Sequence, residues 1–174
     1  MKVDTRFLII TGLILLAILT RLVPHMPNFT AASAVALFGA ACYDKKIMAF
    51  LVPLIAVFIS DLLLGGLYKG VEWVYASYIV IAALGFILRN KITATRVILL
   101  SAVSSLAIYI ISDFGVWLGT LYPHTWQGFA ACYIAAIPFL RNWLLGDLFY
   151  GGLLFGAFYI AQLKFPKLLK QPVK

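Results

Sequence analysis

The sequence predicts an all-α, polytopic membrane protein with six transmembrane helices plus a short external or re-entrant helix. Composition is the first reason: the 174 residues are 64% hydrophobic and only 11% charged, whereas soluble domains carry about 25% charged residues. Charge order is the second. Eleven of the fourteen Lys and Arg fall in four clusters, Lys2/Arg6, Lys45/Lys46, Arg89/Lys91/Arg96 and Lys164/Lys167/Lys170/Lys174. The intervening segments hold only Arg21, Lys69 and Arg141. Cytoplasmic loops retain Lys and Arg because moving them across the bilayer is costly and opposed by the membrane potential. Four cytoplasmic clusters separated by apolar passages give a multi-pass chain with both the N-terminus and the C-terminus in the cytoplasm.

Six spans of about 20 residues use most of the chain, so residues 1–174 read as a single integral membrane domain. A net charge of +8 would suggest nucleic acid in a soluble protein. Here the charges flank apolar spans, so the partner they indicate is the lipid bilayer with its anionic head groups, and no nucleic acid. Cys42 and Cys132 form neither a disulfide framework nor a metal-ligand spacing. The first apolar stretch, Phe7 to Thr20, runs into Arg21 and Pro24 without a small-residue cleavage site, and reads as a retained helix.

Each element has its own signal. Helix 1, about 7–22, is rich in Leu and Ile, as lipid contact requires, and Pro24 and Pro27 end it. Helix 2, about 31–43, is short for a span and built of small residues. Ala32, Ala36 and Ala40 recur every fourth position beside Gly39, a spacing that lets helix backbones approach closely. Asn28 or Thr30 is placed to cap its free N–H groups. Helix 3, about 47–64, contains Pro53 and closes on Ser60-Asp61 and Gly65-Gly66. Helix 4 covers about 73–88 and helix 5 about 97–118, with Asp113 near its external end. The apolar segment 129–139 is too short to span unaided. It reads as an external or re-entrant helix ended by Pro138, Arg141 and Asn142, and helix 6 follows over about 143–163. The alternative makes 129–163 one long kinked helix with the same topology.

The polar residues other than Lys and Arg are distributed asymmetrically. His25, His124, Asn28, Asp61, Glu72, Asp113, Arg141, Asn142 and Asp147 all map to the external side, with Trp73, Trp117, Tyr122, Trp126 and Trp143. Ionisable groups in spans suggest a site by default, and Arg141 is a candidate partner for one of the three aspartates. An interfacial aromatic belt alone would occupy both faces of the membrane. The segment 122–142 therefore reads as the roof of a substrate pocket that contributes Tyr122, His124, Trp126, Cys132, Arg141 and Asn142. Asp61 and Trp117 form its floor, His25, Asn28 and Phe29 its rim, and Asp147 belongs to the same external set. No enzymatic arrangement emerges. Ser60-Asp61 and Ser112-Asp113 have no histidine placed in sequence as a base, no zinc motif fixes the two histidines on one helix, and Cys132 reads as a small core residue. No cofactor is implied.

The run Pro27-Asn28-Phe29-Thr30 with Ala36-Leu37-Phe38-Gly39-Ala40, Pro53-Leu54, Ser60-Asp61 and Gly65 resembles a small, uncharacterised family of bacterial membrane proteins. The runs Phe114-Gly115-Val116-Trp117, Tyr122-Pro123, Cys132-Tyr133, Ala136-Ile137-Pro138-Phe139 and Gly146-Asp147 fit the same family, which implies a bacterial inner membrane. A looser similarity is to S components of energy-coupling-factor transporters, six-helix proteins that bind vitamins near the external face. That similarity implies vitamin uptake and a transporter coupling subunit as partner. It also makes cobalamin a candidate, with His25, His124 or Cys132 as cobalt ligand. The alanine spacing that S components carry on helix 1 for docking falls here on helix 2. The expectation is a carrier or capture protein for a small organic solute. The alternatives are an accessory or structural subunit of a membrane complex and a metal- or haem-binding membrane protein.

Overall fold

The computed structural model describes residues 4–165 and 168, and among them the secondary structure is helical throughout. Six α-helices follow in order: α1 (Thr5–Leu19), α2 (Ala32–Cys42), α3 (Lys46–Leu63), α4 (Val71–Leu88), α5 (Ala94–Leu118) and α6 (Trp126–Lys164). A 3-10 turn, Thr20–Leu22, extends α1. All but α2 are long and apolar enough to cross a membrane. Their outward faces carry exposed side chains such as Leu16, Ile59, Ile110 and Leu163, the surface that acyl chains cover. The chain is thus a multi-pass membrane protein in contact with the lipid bilayer.

The centre of the bundle is the short helix α2. Every one of its eleven residues is buried, and all five other helices pack against it. At about 16 Å it covers roughly half the hydrocarbon thickness. Its length is tolerable because protein, rather than lipid, surrounds it. Small residues make this crowding possible. A Cβ on Gly39 would collide with the Pro53 ring of α3, and one on Gly85 of α4 would lie 2.6 Å from the Leu37 carbonyl oxygen. The Ala32/Ala36/Ala40 stripe therefore faces the interior and offers no outward docking surface.

Arginines close the α2 C-terminus, where the last carbonyls of a helix lack intrahelical donors. Arg89 donates through Nε to the Ala40 carbonyl at 2.8 Å and through Nη2 to that of Tyr43 at 2.7 Å. Arg6 donates to the Cys42 carbonyl at 2.9 Å and to that of Leu168, and it pairs with Asp44 at 3.5 Å. Their positive charge also complements the negative end of the helix dipole. Through these contacts the N-terminal segment, the α2–α3 turn, the α4–α5 turn and the C-terminal segment meet at one end of the bundle. Lys2, Lys167, Lys170 and Lys174 lie outside the described residues.

Two local expectations are corrected. Helix α2 begins at Ala32, and its N-cap residue is Ala31, which makes no side-chain cap. Asn28 instead takes a left-handed backbone (φ 62°), and the Thr30 backbone lies against Gly146 of α6. Residues 129–139 are not a separate helix: α6 runs unbroken for 39 residues through Pro138, the long-helix alternative. At about 58 Å it is nearly twice the hydrocarbon thickness. Its first half is tied to α5 by Tyr109 donating to the Tyr133 carbonyl and Tyr133 to that of Ile110, both at 2.7 Å, while Gly128 makes room for Pro123.

Candidate functional site

The polar residues at the centre of the bundle and at the end away from Arg6 and Arg89 sort into four groups. The first is an ion pair: Asp61 of α3 meets Arg21 at 2.7 Å and accepts from the Tyr75 hydroxyl of α4 at 2.7 Å. Arg21 also donates to the Ser60 hydroxyl. Asp61 is thereby fully engaged in tying α1 and α4 to the end of α3.

The second group is central. Asp147 of α6, only 1% exposed, accepts from Ser105 of α5 at 2.7 Å and from Ser33 in the first turn of α2. A carboxyl group beside the first turn of a helix complements the positive end of its dipole. This cluster fastens three helices together.

The third group is an aromatic corner where α5 turns into α6. The Trp117 ring packs against His124 at 5.6 Å and Phe129 at 5.4 Å, and Phe129 stacks on Trp126 at 5.4 Å. Trp117 Nε1 donates to the Pro123 carbonyl at 3.2 Å, and His124 Nε2 lies 3.0 Å from the Gly119 carbonyl. Cys132 donates weakly to the Asp113 carbonyl at 3.5 Å. Trp117 and His124 thus sit together, pinning a tight turn, apart from Asp61.

The fourth group surrounds a cavity of about 500 Å³ between the α3–α4 loop, the start of α4, the end of α5 and the middle of α6. Trp73, Phe139 and Trp143 give it aromatic walls, with Tyr68, Lys69 and Glu72 from the neighbouring loop and helix start. Gly115 makes room for Trp73, whose ring lies where a Cβ at that position would be. Asn28 reaches the cavity from the α1–α2 loop, and the Asn142 amide holds that loop by donating to the Pro27 carbonyl at 2.9 Å. Asp113 lines the cavity from α5. It is 8% exposed, and its Oδ2 has no hydrogen-bond partner.

Of the twelve residues expected in the site, Asn28 lines this cavity. Phe29 packs beside it against Phe149 and Tyr150 at 5.8 and 5.7 Å. His25 is exposed, with Nδ1 2.7 Å from the Val23 carbonyl, Arg141 is exposed, and Tyr122 is half-buried. Among the described residues no three His, Cys, Asp or Glu side chains converge as a metal site would need. The lining residues Asp113, Trp73 and Trp143 carried external-side signals in the sequence without being assigned to the pocket. Asp113 has a further signal: α5 carries no Lys or Arg beyond Arg96 to neutralise it.

Residues 1–168 match the DUF6580 family, described as a family of unknown function. No curated protein and no solved structure matches the chain.

Proposed function

We propose that the chain, which belongs to the DUF6580 family, is a membrane carrier or capture protein for a small organic solute taken from the external side. The observation that carries this reading is the cavity, which combines aromatic walls with a buried carboxylate, that of Asp113, whose Oδ2 has no hydrogen-bond partner. Its volume of about 500 Å³ lies within the usual range for small-molecule sites, about 300–1,000 Å³. Apolar walls with a few convergent polar groups are what such a site requires. The orientation follows from charge: the cavity lies at the opposite helix ends from Arg6 and Arg89, and positive charge marks the cytoplasmic side.

The cavity favours this reading over that of an accessory subunit without a ligand. A coupling subunit, if the protein uses one, docks on a face other than the Ala32/Ala36/Ala40 stripe, which is interior. Native mass spectrometry of the gently purified protein tests the proposal. A co-purified small molecule released on activation is the expected result. Protein that is ligand-free from every mild preparation, and that gains no ligand from cell extract, contradicts it.

A further inference from the structure

Three aspartates, Asp61, Asp113 and Asp147, occupy this end and the centre of the bundle, and two of them have their needs met. Asp61 has Arg21 and Tyr75, and Asp147 has Ser105 and Ser33. Asp113 differs. It has no ion-pair partner among the described residues, its Oδ2 accepts no hydrogen bond, and the neighbouring Ser112 hydroxyl is spent on the Ile108 carbonyl at 2.6 Å. A buried carboxylate without a partner is costly, and a ligand that supplies the missing positive charge removes that cost.

The rest of the lining agrees in sign. Lys69 and Glu72 are the other charged lining residues; both are exposed, and they offset one another. Asp113 therefore sets the charge of the interior. Trp73, Trp143, Phe139 and Tyr68 add aromatic rings, whose quadrupoles attract cations. An anionic solute would have to face Asp113 with only the exposed Lys69 to receive it. A bare metal ion would lack ligands, because among the described residues no three His, Cys, Asp or Glu side chains converge.

We infer that the solute is an organic cation, an amine or quaternary ammonium compound, whose charge seats against Asp113 and whose apolar body lies among Trp73, Trp143 and Phe139. This inference rests on the solute-capture reading above and names the class of solute for that site. Tryptophan fluorescence of the purified full-length protein, titrated with matched probes of one size, tests it. Benzyltrimethylammonium and 2-phenylethylamine are the cations, 2-phenylethanol the neutral probe and 3-phenylpropionate the anion. Saturable quenching by the cations alone is expected. Asp113→Asn should weaken it on the order of tenfold or more; Asp113→Glu should keep the preference for cations, and Leu16→Ala, on the outward face of α1 away from the cavity, should bind as the parent does. If Asp113→Asn does not fold, Trp143→Leu supplies the comparison and should also weaken cation binding. Equal or tighter binding of the neutral or anionic probe overturns the choice of a cation and leaves the solute site standing. Failure of every probe to bind overturns both.

Discussion

Arg21 and Asp61 form an ion pair at 2.7 Å in which each side chain is only 12% exposed. The pair joins the 3-10 turn after α1 to the last turns of α3. It takes Asp61 out of the inventory of free charges, and Arg21, rather than Arg141, is its partner. Asp113 is then the buried acid at this end of the bundle that the fold leaves with an unpartnered oxygen, Oδ2.

Breaking that pair on one side should be costly. Arg21→Met leaves Asp61 buried and uncompensated, a loss on the order of 3–5 kcal/mol. Thermal denaturation in detergent should show a large drop for Arg21→Met or Asp61→Asn alone. Part of it should return in the double variant. Additive losses would mean that the two groups are energetically independent.

Arg89 should be irreplaceable at the end of α4. Its planar guanidinium reaches three carbonyls, those of Ala40, Tyr43 and Asp44, a geometry that a lysine cannot reproduce. Arg89→Gln and Arg89→Lys should both lower stability, by roughly 2–4 kcal/mol for Gln. Retention of the parent melting temperature by the lysine variant would show that charge alone matters there.

Ala36 lies in the fully buried α2. Ala36→Leu inserts bulk where five helices meet, and overpacking of this kind costs roughly 1–3 kcal/mol or more. A substitution on the outward face of α1, such as Leu16→Ala, should leave the melting temperature nearly unchanged. Equal effects at the two positions would contradict the central placement of α2.

Orientation is testable by cysteine labelling, with little background expected because Cys42 and Cys132 are both buried. A membrane-impermeant maleimide should modify His124→Cys in intact cells and Lys91→Cys only after permeabilisation. Both sites are exposed, so the reverse pattern would invert the topology.

The helical architecture was legible because its causes are local. Apolar runs set the spans, and Lys and Arg mark their ends. Small residues announced that α2 packs closely, but its position inside all the other helices depends on partners such as Pro53 and Gly85, which are distant in sequence. Pro138 was read as a terminator, yet α6 runs through it; a proline in a membrane helix is tolerated where neighbouring groups meet the backbone's needs. The division of labour among the polar residues of the loops and helix ends was hidden. Asp61 could not be paired with Arg21 across 40 residues by any periodicity. Nor could sequence show that Trp117 and His124 pin a turn while Trp73 and Trp143 wall a cavity. Absence of a partner for Asp113 is a property of the assembled bundle.

Solute capture is tested most directly by filling the cavity. Val116 lines it from α5, one turn from Asp113, and is itself partly exposed, so Val116→Trp should occupy the space with little loss of stability. Small molecules extracted from parent and variant, purified side by side, would be compared by mass spectrometry. A compound enriched with the parent and lost from a Val116→Trp protein of equal melting temperature is the predicted result. Identical extracts from two equally stable proteins would contradict it.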